Sequence, residues 1–434
     1  MALAVEPFLT SYDPSDLPGG SIDPLGFDRA YNFLAEAFLP GLTNVASVPR
    51  YFSILCTGIL LSKTSASATP REKLQIRLDT VQRLERLWGV ANVLASEDDG
   101  EMVLAGLRGV RYARGRVQET YTRGATTCDF RLLLQQQRYG VVGIYGLVAD
   151  NLRLIHRSTM DLTPDRGRRL AEAFRDGTDL PSEVARAILD TKVAVSFDSL
   201  RSWGKRARID MRLPDAEARW VREALMEDPV RVATAALLHR CPRKENQAEL
   251  ARLARMRDAA TGDVQRLLVL IVAFEEFFLS ALLAFERLLF LGKQSQSGSF
   301  GLDDAATDEV VTAARARIAG RAEALRRAAE VVQMPRWHAG RIVLGDVVDL
   351  GGQLAAAPTA SAFLERLLGR HRDVQRGKFD RGRPKMPWLE RNGEGWQLTL
   401  ADMSDLRAPP KSERDFAPHP YRTAAADAFG ASHG

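Results

Sequence analysis

The side chains of this 434-residue chain that could do chemistry are scattered. His371-Arg372-Asp373 matches a kinase catalytic triplet, but Lys378 stands where the metal-binding asparagine belongs, and no Gly-rich loop or Asp-Phe-Gly accompanies it. Gly292-Lys293 and Gly377-Lys378 lack the upstream glycine and the following Ser or Thr of a phosphate loop. The six histidines are isolated from one another, and Cys56, Cys128 and Cys241 form no Cys-x-x-Cys pair, so the thiols are expected to be buried core residues. Asp198, Lys205 and Asp210 are the set a divergent metal-dependent nuclease would draw on. Glu275 and Glu276 are adjacent on a helix, about 100° apart, and do not face each other as an acid–base pair. The expectation is therefore a non-catalytic protein, with no catalytic residue, no metal and no cofactor.

Binding chemistry is better represented. Lys and Arg together number 60 against 55 Asp and Glu; only nine of the 60 are lysines, the bias of a GC-rich bacterial genome. The excess of five positive charges equals that of one stretch, 370–391, with eight basic and three acidic residues. Within it, Arg372, Arg376, Lys378, Arg381, Arg383 and Lys385 are placed to follow a phosphate backbone, with Phe379 and Trp388 interleaved to stack on bases. Smaller basic clusters lie at 108–123 and 201–212, where a solvated helix face is the plainer reading.

These residues must be positioned by helices. Phe27, Tyr31, Leu34 and Phe38 make one apolar stripe ending at Pro40-Gly41. A nearly all-apolar helix follows to about Leu61, and Thr69-Pro70-Arg71-Glu72 opens another with a capping box. Residues 99–127 read as an Arg-punctuated loop. The run Leu267–Phe285 (LLVLIVAFEEFFLSALLAF) is apolar enough for a membrane, but each central glutamate would cost about 2.5–3.5 kcal/mol there. A buried central helix is expected instead, with one glutamate reaching solvent or a buried arginine. Residues 292–301 form a Gly/Ser-rich joint, Asn392-Gly393-Glu394-Gly395 signals a hairpin, and the proline-containing tail is expected to fray. The N-terminal stretch carries acids where a secretion signal needs basic residues, so the expected location is cytoplasmic, with no membrane partner.

Residues 129–174 have the order helix, turn, helix, strand, wing, strand, helix, and LRLI…LTPDRGRRLAEAF resembles the strand-to-helix junction of bacterial winged-helix regulators. The resemblance implies a recognition helix at Tyr139–Asn151, a wing tip at His156–Thr159, and phosphate contacts from Arg153, Arg157, Arg166, Arg168 and Arg169. The recognition helix carries no basic residue, which favours phosphate contact over base reading. Leu39-Pro40-Gly41-Leu42-Thr43 followed by Arg50-Tyr51-Phe52-Ser53 resembles the start of a group of uncharacterised bacterial proteins, similar to proteins encoded near helicases and restriction-type genes in phage-defence islands. At Arg50 itself, a buried ion pair is expected ahead of an anion site.

The expected fold is mainly α and multi-helical, with an embedded winged-helix-like unit and a small C-terminal β-hairpin. The domains read as a helical 1–127, a winged-helix-like 128–180, a central helical 181–292 around a buried helix 263–292, a helical 302–374, and a basic extension 375–434. The expected function is a non-catalytic nucleic-acid-binding or adaptor subunit of a bacterial phage-defence or DNA-processing system, with nucleic acid and a helicase or nuclease as partners. A protein scaffold with a vestigial winged helix, or a nuclease subunit, are the alternatives.

Overall fold

The computed structural model describes residues 23–97, 104–244, 247–295, 297–332, 338–380, 382–393, 395–399 and 409–431. Over these the chain is mainly α-helical and multi-helical, with small antiparallel sheets. It divides into two compact units, each discontinuous in sequence. The first takes Leu39–Ala235 and Arg422–Gly434, with Met1–Asp16 outside the described residues; the second takes Leu17–Phe38 and Ala236–Tyr421.

In the first unit the Pro70–Ser96 helix opens with the expected capping box. Thr69 Oγ1 accepts from the Glu72 amide at 3.2 Å, and the Thr69 amide donates to the Glu72 carboxylate at 2.7 Å. Its second half is buried, and the Phe197–Ala207 helix packs close against it. That approach needs Gly204, since a β-carbon there would stand 2.1 Å from the Ala91 carbonyl oxygen. Trp88 then donates its indole N–H to the Ala207 carbonyl at 2.7 Å. The Arg50–Leu61 helix is buried almost all round, as its composition implies, and all three cysteines are buried. Residues 99–127 do not form a loop throughout: Val110–Thr120 is helical. Only Ala113, Val117 and Thr120 of that helix are buried, too thin a stripe for periodicity to show.

The second unit is built on the 33-residue helix Gly262–Gln294. It is long and apolar enough to cross a membrane, yet 78% of its most apolar window is buried inside the fold, as in a soluble core helix. Phe27 packs its ring 5.2–5.8 Å from those of Phe274, Phe277 and Phe278. Asp308 caps the Glu309–Val331 helix, accepting the Val310 and Val311 amides on Oδ1, while Arg287 holds Oδ2 at 2.9 Å.

Glu276 is half-exposed, as expected of one of the pair, whereas Glu275 is fully buried and held by groups other than arginine. His419 donates from Nδ1 and from its backbone amide at 2.8 and 3.1 Å, and the Tyr421 hydroxyl donates at 2.7 Å. His419 also stacks on Tyr31, centroids 4.3 Å apart. Nearby, Glu413 accepts from Arg317, Arg321 and Ser280. The segment expected to fray is therefore packed over 409–421, because a buried carboxylate needs donors and the tail supplies them. In the first unit the tail ends in the Thr423–Ala431 helix, with Phe429 against Phe52.

The C-terminal hairpin forms where Asn392-Gly393-Glu394-Gly395 signals it, pairing Leu389–Asn392 with Gly395–Leu398; Gly393 has φ +60°. Ser299–Phe300, at the end of the Gly/Ser-rich joint, adds a third strand to this sheet.

Candidate nucleic-acid interface

In the first unit the helices Gln136–Tyr139 and Val141–Asn151 precede a two-strand turn, Ile155–His156 paired with Asp161–Leu162, and the helix Gly167–Gly177 follows. The junction is tightly knit. Thr163 Oγ1 donates to the Arg153 carbonyl at 2.7 Å and accepts the Gly167 amide at 2.9 Å, while the Thr163 amide donates to the Leu154 carbonyl at 3.0 Å. The Val141–Asn151 helix presents no open face to a groove: Val141, Ile144, Tyr145, Gly146, Val148 and Ala149 are buried, and only Asn151 is exposed. Base reading by Tyr139–Asn151 is not what this arrangement offers. The turn between these two strands, where the sequence suggested a wing tip, is also held down, because Arg77 pairs with Asp161 at 2.5 Å and donates to the Thr159 carbonyl at 2.7 Å.

The five arginines expected to touch phosphate differ in availability. Arg153 and Arg166 converge on one carboxylate, Glu227, at 2.6 Å each. Arg169 lies 3.7 Å from Glu172. Arg168 is exposed and Arg157 half-buried, and neither side chain forms an ion pair among the described residues. Glu227 carried no signal in the sequence, since it lies 61 and 74 positions from the arginines it holds.

The start of the Val141–Asn151 helix is fixed by Glu85, fully buried. One carboxylate oxygen accepts the Val141 amide and the other the Gln136 side-chain amide, both at 2.8 Å. Burial pushes this carboxyl up to about 7, against the pull of those two hydrogen bonds and of Arg108 and Arg86. The native state therefore binds a proton that the unfolded chain has released between about pH 4.5 and pH 7. This contribution to stability is complete below 4.5 and is lost as pH rises through 7. Urea titrations should show wild type losing stability relative to Glu85→Gln across that window, by at most about 1.4 kcal/mol per pH unit. A flat or rising difference would show that the buried carboxyl is already ionised at the low end.

In the second unit, the basic segment begins on the Ala360–Arg376 helix and runs into a small ribbon, Phe379–Asp380 paired with Arg383–Pro384. His371 anchors it. The Pro24 carbonyl can only accept and the Trp388 amide can only donate, so Nδ1 carries the proton, toward Pro24 at 2.9 Å, and Nε2 accepts from Trp388 at 2.8 Å. Burial pulls this imidazole down to about 4, which keeps it neutral and in that tautomer. His371 is thus a structural pin of the basic segment. Trp388, half-buried, packs 5.5 Å from His371 and 6.1 Å from Phe285.

Along the segment, Arg372 lies 3.9 Å from Asp373, Arg376 lies 3.9 Å from Glu390, and Lys378 donates to the Asp23 carbonyl at 2.5 Å. Arg383 is exposed and Lys385 half-buried, without ion pairs among the described residues. Arg381 lies outside the described residues. Phe379 and Met386 are 67% and 65% exposed. Sequence reading found these residues but not the ribbon, whose signal is Gly382 with φ +79° inside Asp-Arg-Gly-Arg.

Of the nuclease alternative, Asp210 is held by Nε and Nη2 of Arg208 at 2.7 Å each, and Asp198 lies 3.6 Å from Arg201. Among the described residues no three His, Cys, Asp or Glu side chains gather as a metal site. Comparison with family models, curated proteins and solved structures gives no match to this chain.

Proposed function

We propose that the chain is a nucleic-acid-binding or adaptor subunit that grips the phosphate backbone without reading base edges, serving a bacterial phage-defence or DNA-processing system of the kind its N-terminal resemblance implies. The observation that carries the binding is the 376–386 segment, where Arg376, Arg383 and Lys385 lie within ten residues of an exposed Phe379. The arginines near the wing add less, because Arg153 and Arg166 must leave Glu227 before they can meet a phosphate.

Labelled DNA titrated at several salt concentrations tests this directly. Log affinity should fall linearly with log salt, and Arg376→Ala, Arg383→Ala and Lys385→Ala should each reduce the slope by about one contact, roughly 0.7 for single strands or 0.9 for duplex. Arg153→Ala should change it less. A slope near zero for the wild-type protein overturns the reading.

A further inference from the structure

The register of the ribbon separates its side chains into two kinds. Phe379 faces Pro384 across the ladder, Asp380 faces Arg383, and the Lys385 amide extends the ladder to the Lys378 carbonyl at 2.8 Å. Because alternate side chains point to opposite faces, Phe379 and Pro384 share one face, which Met386 continues two residues on. Lys378, Arg383 and Lys385 share the other. The apolar face is bare: Phe379 and Met386 are two-thirds exposed, and Pro384 is exposed as well. A solvated basic linker would not gather three apolar side chains on one side of a two-stranded ribbon and leave them in water.

We propose that this face is a stacking platform for the unpaired bases of a single-stranded nucleic acid. The inference rests on the phosphate-binding reading above and names its substrate class. The occupant must bring flat apolar surface to Phe379 on one face and negative charge to Arg383 and Lys385 on the other, so it must bend around the edge of a two-stranded ribbon. A single strand does both, since every base has a π-face and every nucleotide a phosphate. A duplex offers the phosphates but keeps its bases stacked on one another. The neighbouring aromatic, Trp388, is occupied by His371 and Phe285, so Phe379 carries the stacking.

The full-length protein is titrated with a labelled oligothymidylate and with a duplex of the same length, in the same salt series. The expected result is tighter binding to the single strand. Phe379→Ala should weaken that binding about tenfold or more with the salt slope unchanged, and Phe379→Trp should retain it. Arg383→Ala and Lys385→Ala should instead lower the slope on both ligands. Phe379 lies on the surface, so a thermal melt of each variant should match wild type. Equal affinity for the two ligands, preference for the duplex, or no effect of Phe379→Ala overturns the platform while leaving phosphate binding intact. Absence of salt-dependent binding to either ligand removes the reading beneath it.

Discussion

Replacing Glu217 by glutamine should destabilise the protein by about 3–5 kcal/mol, one of the two largest losses expected from a single substitution in this chain. Arg50 and Glu217 are both fully buried and meet at 2.8 Å. Ser53 donates to the other carboxylate oxygen at 2.5 Å, and the guanidinium also lies 5.6 Å from the Phe174 ring centroid. Removing the carboxylate strands a guanidinium that cannot shed its proton. Removing the arginine is different, because the remaining carboxyl can neutralise itself. Burial already raises Glu217 above the usual carboxylate range, with Arg50 and then Ser53 opposing. In Arg50→Met that opposition falls to Ser53 alone.

The two single variants should therefore part company with pH. A carboxyl raised in the folded state contributes most below its unfolded value near 4.5 and progressively less as pH rises. Urea titrations should find Arg50→Met clearly milder at pH 5 than at pH 8, and Glu217→Gln the reverse, milder at pH 8, because only wild type then loses what its raised carboxyl contributed. The double variant Arg50→Met/Glu217→Leu should recover most of the loss, since a well-packed apolar pair often matches a buried ion pair. Equal pH dependence of the two single variants would contradict this account.

The second large effect is Gly167→Ala. A β-carbon at 167 would lie 1.8 Å from the Leu154 carbonyl oxygen, which is backbone and already bonded to the Thr163 amide. Relief requires moving the start of the Gly167–Gly177 helix, whose Leu170, Ala171 and Phe174 are buried. The cost should be about 3 kcal/mol or more, from overpacking together with a strained junction. Gly146→Ala is the control, being the same substitution inside a helix with no atom within 4 Å of the added carbon. It should stabilise by about 0.5–1 kcal/mol. Opposite shifts of the urea midpoint at unchanged slope are the expected readout; shifts of the same sign would show that crowding at Leu154 is not the cause.

The glycine in LTPDRG was visible as a motif before its reason was. What the sequence made legible was local: the Thr69–Glu72 box, the all-apolar Arg50–Leu61 helix, and the Asn392–Gly395 turn each depend on residues within a few positions. Partners of buried charges were not legible. Glu217 lies 167 residues from Arg50, Tyr421 lies 146 from Glu275, and no spacing rule links them. The Val110–Thr120 helix escaped because its buried stripe is three residues wide. Of the candidate interface, the basic residues could be read off directly. Which of them acids already hold could not, because Glu227 approaches from a different helical region.

The tail's role as partner to Glu275 also bears on how the molecule is made. A ribosome adding about 5–20 residues per second needs roughly 7–30 seconds to go from Glu275 to Tyr421. Throughout that interval the carboxylate at the centre of the most apolar helix lacks the hydroxyl and imidazole that later enclose it. Its core closes only once residues 419–421 have been synthesised, long after the helix that they complete.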